Sequence, residues 1–97
     1  MVEAFKIWIE RSNELARQAF ELYRPEVEQL ISSQTTDEHQ IQLMLDYLLD
    51  FCFDSQMLLL FKKLCRYYWD INPQATADYI NSYREMWDEE SMENDDN

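Results

Sequence analysis

Glycine is absent from all 97 residues, where average usage of about 7% would supply roughly seven. Tight hairpins, phosphate-cradling loops and dinucleotide-binding turns draw on glycine for positive φ. The chain has little means to build them, and helices are what remains. Histidine occurs once, at His39, which excludes zinc sites built on several imidazoles and makes histidine-dependent nucleophilic catalysis hard to assemble. The two cysteines, Cys52 and Cys65, lack the short spacing of a redox or zinc motif and sit inside apolar runs; both read as buried thiols in a reducing compartment. Basic residues are scarce as well, eight against twenty acids for a net charge of -12. A polyanion of this kind is repelled by phosphate backbones and anionic lipid, so direct binding to nucleic acid or a membrane surface is disfavoured.

No positively charged, apolar leader opens the chain, so the expected location is cytoplasmic. The longest apolar stretch, Ile41 to Phe61, carries Asp46, Asp50 and Asp54. Each aspartate would cost about 2.5–3.5 kcal/mol near the centre of a spanning helix, which assigns the stretch to a protein core. An apolar fraction of 46%, with 14% aromatic residues, supplies enough surface to offset ordering entropy in a single domain of this size. Six acids fall in the last ten residues, leaving fourteen acids against eight bases in residues 1–87. We therefore expect one helical domain over 1–87 and a disordered acidic tail over 88–97.

The apolar residues Phe5, Trp8, Leu15, Ala16, Ala19, Leu22 and Tyr23 recur at three-four spacing and predict a long amphipathic helix. Pro25 removes an amide donor and clashes with the preceding turn, so two helices should meet near Arg24, with a single kinked helix as the alternative. Ser32 to Thr36 reads as a loop, and Thr36 before Asp37 and Glu38 as an N-cap with acids in the first turn, which starts the next helix at about Asp37. That helix runs through Ile41, Met44, Leu45, Leu48, Leu49 and Cys52. Asp54-Ser55 offers a second cap, so helices over 37–53 and 55–70 are expected to be separate, with a continuous helix as the alternative. Asn72-Pro73 pairs an N-cap residue with proline at the first helical position and opens a last helix with Tyr79, Ile80, Tyr83, Met86 and Trp87 on one face. The predicted fold is all-α, a compact bundle of four to five helices.

Asp46, Asp50 and Asp54 would share one face if helix persisted through them. Such a stripe either is solvated, pairs with Lys62, Lys63 and Arg66 on a neighbouring helix, or offers oxygen ligands to a divalent metal with His39 nearby. Solvation or pairing is the expectation, with no metal or other cofactor. The paired glutamates and Glu-x-x-His of di-iron helical proteins are absent. Tyr67-Tyr68-Trp69 is the densest aromatic cluster, and three consecutive helical residues point about 100° apart, so at least one should lie near the surface. Ile7-Trp8-Ile9 poses the same problem in the first helix. Exposed aromatics bury large area with few torsions and are favoured as contact anchors, which makes Trp8, Tyr67, Tyr68, Tyr83 and Trp87 the candidate partner-binding residues. The apolar surplus also predicts self-association as a homodimer.

The run from Leu64 to Thr76, LCRYYWDINPQAT, with the ending Met86-Trp87-Asp88-Glu89-Glu90, resembles small uncharacterised helical proteins of bacterial genomes and mobile elements. The resemblance covers about the last third of the chain, implies a bacterial, intracellular origin and carries over no functional residue. The expected function is a small acidic protein–protein interaction or regulatory module without catalytic activity, acting on a protein partner. One alternative is an inhibitor that mimics nucleic acid with its carboxylates and competes for a DNA-binding protein. A divalent-metal carboxylate protein using Asp46, Asp50 and His39 is the other.

Overall fold

The computed structural model describes the backbone of residues 2–87 and the side chains of residues 10–87. Four helices follow one another: α1 (Val2–Ser32), α2 (Glu38–Leu49), α3 (Ser55–Trp69) and α4 (Pro73–Trp87). No strand occurs among the described residues. The expected acidic tail over 88–97 lies outside them.

Pro25 does not divide the first helix, contrary to the expectation of two helices meeting near Arg24; α1 runs 31 residues straight through it. Proline deprives the carbonyl four residues back, that of Glu21, of its helical donor. Both Pro25 and Glu21 are exposed, so water can take that bond, while Tyr23, Val27, Leu30 and Ile31 pack into the core on either side of the site. The buried stripe on α1 is Ala16, Ala19 and Val27, with Phe20 and Tyr23 half-buried beside it. Leu15 and Leu22, which the periodicity placed on the same face, point outward at 59% and 62% exposure.

The absence of glycine has a visible cost at the end of α1. Gln34 adopts φ 54°, the left-handed conformation usually given to glycine after a helix. Its amide donates to the Ile31 carbonyl at 3.1 Å, and the Thr35 amide donates to the Leu30 carbonyl at 3.3 Å. These two bonds close the helix in the manner of a Schellman motif, at a steric cost of about 1–2 kcal/mol for a residue with a Cβ.

The remaining termini are capped by side chains. Asp37, one residue later than expected, accepts from the amides of His39 and Gln40 and starts α2 at Glu38. The chain leaves helix after Leu49, and Asp54 then accepts from the amides of Gln56 (3.1 Å) and Met57 (3.0 Å) to start α3. The separation of the two central helices is thus real. Asn72 accepts from the Ala75 amide at 3.0 Å with Pro73 in the first turn of α4, as the Asn-Pro pair predicted.

α3 packs against all three other helices, and α1 also packs on α2. The core is built from Ile41, Leu45 and Leu48 of α2 and from Met57, Phe61, Leu64 and Tyr68 of α3, all nearly or wholly buried. α4 contributes one fully buried residue, Thr76, whose hydroxyl donates to the Asn72 carbonyl at 2.8 Å. Otherwise α4 covers the core with half-buried aromatics: Tyr79 donates to the Gln42 carbonyl, Trp87 donates to the Leu49 carbonyl at 2.8 Å, and the Tyr83 ring lies against Phe61.

Candidate interaction surface

The three consecutive aromatics on α3 divide as helix geometry requires. Phe61, Leu64, Cys65 and Tyr68 form one stripe at three-four spacing, so Tyr68 follows them into the core at 0% exposure. This corrects its assignment as a partner-binding residue. Its hydroxyl donates to Glu38 Oε1 at 2.6 Å and accepts from Gln42 Nε2 at 2.7 Å, and Asn72 Nδ2 donates to the same Glu38 oxygen at 2.7 Å. The start of α2, the end of α3 and the cap of α4 are tied through one carboxylate. Hydrogen bonds from Tyr68 first and Asn72 second hold the Glu38 carboxyl below the usual glutamate value, because both favour the charged form. Burial pushes the Tyr68 hydroxyl up.

Tyr67 is half-buried and donates to the Thr35 carbonyl at 2.6 Å, which straps its ring across the α1–α2 connection. Trp87 is half-buried, held by Leu49 and tilted against Phe53 with ring centroids 5.7 Å apart. Trp8 lies on α1, and its side chain is outside the described residues. Among the candidate anchors whose side chains are described, Tyr83 lines an open surface groove.

That site is a groove of about 560 Å³ between α3 and α4. Leu58, Phe61 and Trp69 of α3 and Ile80 and Tyr83 of α4 supply its apolar surface. Lys62 and Arg66 edge it on α3, Arg84 on α4, and Asp70 sits at the end where α3 stops. Trp69 is 50% exposed and Ile80 38%. Sequence reasoning did not single out Trp69, Ile80 or Arg84 for a contact role. The signal was available in the spacing: with Tyr68 committed to the core stripe, Trp69 falls about 100° away, and Thr76, Ile80, Tyr83 and Arg84 repeat at three-four intervals from the Asn72 cap.

The expected pairing of Lys62, Lys63 and Arg66 with the aspartate stripe is not seen. The ion pairs among the described residues run along α1 instead, Arg17 with Glu14 (2.6 Å) and Glu21 (3.1 Å), and Arg24 with Glu28 (3.1 Å). All are exposed pairs, screened by solvent, and add little to stability. The stripe itself is dissolved by the break between α2 and α3: Asp50 caps the end of α2, Asp54 caps the start of α3, and Asp46 lies beside the Tyr79 hydroxyl. Burial, with that carboxylate, raises the Tyr79 hydroxyl above its ordinary value. His39 is exposed in the first turn of α2. Among the described residues no three His, Cys, Asp or Glu side chains gather as a metal would require.

Cys52 and Cys65 are buried, unpaired thiols, each pushed up to about 12, chiefly by burial. Neither is a ready nucleophile at neutral pH, although Cys65 borders the groove. A second groove of about 500 Å³ lies between α1 and α2 beside Leu43 and Tyr47. Its one charged lining residue is Glu26, so it lacks the cationic edge of the first. No described helix is long and apolar enough to cross a membrane. Comparison with protein-family models, with curated proteins and with solved structures finds no match to this chain.

Proposed function

We propose that this protein is a non-catalytic, self-associating interaction module that works through apolar surface left over after its core is complete. One observation carries the reading. Leu15, Leu22, Leu43, Tyr47, Phe53, Leu59, Trp69, Ile80 and Met86 are each at least 38% exposed, while none of the described buried side-chain polar atoms lacks a hydrogen-bond partner. A finished core beside large exposed apolar side chains is the pattern of a surface used for association. The raised thiols and the lone exposed histidine favour binding over chemistry, and the unpaired buried cysteines fit a reducing, cytoplasmic setting.

The self-association surface we assign to the outer face of α1, where Leu15 and Leu22 lie seven residues apart and project from the bundle. A second copy crossing this face would bury both leucines against their equivalents in a symmetric interface. Light scattering on size exclusion over a range of protein concentration tests it. The wild-type chain is expected to show a mass near twice 11.9 kDa, and the double variant Leu15→Glu/Leu22→Glu a mass of 11.9 kDa with its helical circular dichroism retained. A wild-type monomer at every concentration would remove self-association from the account.

A further inference from the structure

The α3–α4 groove is a cationic site in an acidic molecule. Lys62, Arg66 and Arg84 make no ion pair among the described residues, and they stand against a single groove acid, Asp70. Three of the chain's eight bases are thereby held beside an open apolar surface while the whole carries -12. The groove is also elongated. Its α3 wall runs from Leu58 to Trp69, about 16 Å at 1.5 Å per residue, or three helical turns. Lys62 and Arg66 are one turn apart on that wall, a separation of about 6 Å, so two carboxylates one turn apart on an apposed helix would meet both. A single head group would meet one of them.

We propose that this groove docks an acidic amphipathic helix of a protein partner. This rests on the interaction reading above and names the chemistry of the partner. Apolar side chains at i, i+3 and i+7 of the incoming helix lie over Leu58, Trp69 and Ile80. Its flanking glutamates or aspartates face Lys62 and Arg66 on one side and Arg84 on the other. Asp70 sets the register, because a carboxylate over that end of the groove would be repelled, and a neutral or basic residue belongs there. The overall negative charge of the chain slows approach of such a partner, so the local match provides selectivity rather than steering.

The test titrates the full ¹⁵N-labelled chain with three probes: a helical peptide of about fourteen residues with leucines at i, i+3 and i+7 flanked by glutamates, its lysine-flanked counterpart, and dodecanoate. The glutamate peptide is expected to shift the amides of Phe61–Trp69 and Ile80–Arg84 and to bind about ten-fold more tightly than the lysine peptide at low salt. The triple variant Lys62→Glu/Arg66→Glu/Arg84→Glu, with every change at an exposed position, should invert that preference while keeping the wild-type melting curve. Equal or tighter binding of the lysine peptide in the groove would overturn the acidic partner and leave helix docking standing. Groove shifts from dodecanoate alone, or from none of the probes, would overturn helix docking there as well.

Discussion

Tyr68→Ala should lower the free energy of unfolding by about 3–5 kcal/mol, whereas Trp69→Ala, one residue on, should lower it by only about 1–2 kcal/mol, the share of the ring that is buried. Tyr68 is wholly buried and half of Trp69 is exposed, so the pair reads out which face of α3 the core occupies. Truncating Tyr68 also leaves Glu38 and Gln42 without the hydroxyl that joins them. Denaturant unfolding followed by circular dichroism measures both, and equal losses would contradict the assignment of the faces. Tyr68→Phe isolates the hydroxyl. Glu38 titrates below the ordinary glutamate value because Tyr68 and Asn72 stabilise its charged form, so its contribution to stability is complete above the unfolded-state value of about 4.3. That contribution is lost as the pH falls through the lower folded value. In Tyr68→Phe the carboxylate's midpoint, followed by NMR, should move up toward the ordinary value, and the acid limb of the stability profile should flatten.

Phe61→Ala should likewise cost about 3–5 kcal/mol, out of a total that for a domain is only about 5–15. Phe61 is 2% exposed and stands where the core of α2 and α3 meets α4, its ring 6.1 Å from that of Tyr83. Its loss opens a cavity under the groove and loosens the aromatic cover that α4 lays over the bundle. With each kcal/mol worth about 4–8 °C at this chain length, the thermal midpoint should fall by more than about 10 °C. Leu59→Ala, two residues away and 66% exposed, should leave it nearly unchanged. A double-mutant cycle between Phe61 and Tyr83 should return about 0.5–1.5 kcal/mol for the ring contact. A coupling near zero would mean that α4 is held by its other contacts alone.

The fold was largely legible because its signals are local. The Asn72-Pro73 start, the Asp54 cap and the Ser32–Thr36 loop are short-range devices whose geometry depends on a few neighbouring residues. Pro25 misled because propensity describes an isolated helix, and packing of Tyr23, Val27 and Leu30 on either side of it overrides the lost hydrogen bond. The glycine-free composition pointed to helices without revealing that Gln34 would take the one positive φ among the described residues.

The site was less legible because it depends on which of two adjacent stripes each helix buries. Periodicity placed Leu22 with Tyr23, and it set Tyr68 rather than Trp69 among the contact residues. Only the packing of α3 against three helices shows that Leu22 and Trp69 are left outside. The grouping of Lys62, Arg66 and Arg84 crosses two helices, and no spacing along the chain announces it. Asp46, Asp50 and Asp54 drew attention as a stripe, whereas two of them are spent on helix ends.

The most direct test of the groove as a docking surface places a benzophenone side chain at position 69 of the full chain, or at Gln74, which is exposed outside the groove. Each protein is irradiated in extract of the source cells. A discrete protein adduct from position 69, absent from position 74 and suppressed by the glutamate-flanked peptide but not by the lysine-flanked one, is the predicted result. Adducts of equal yield from both positions, or an adduct from 69 that the peptide does not suppress, would contradict it.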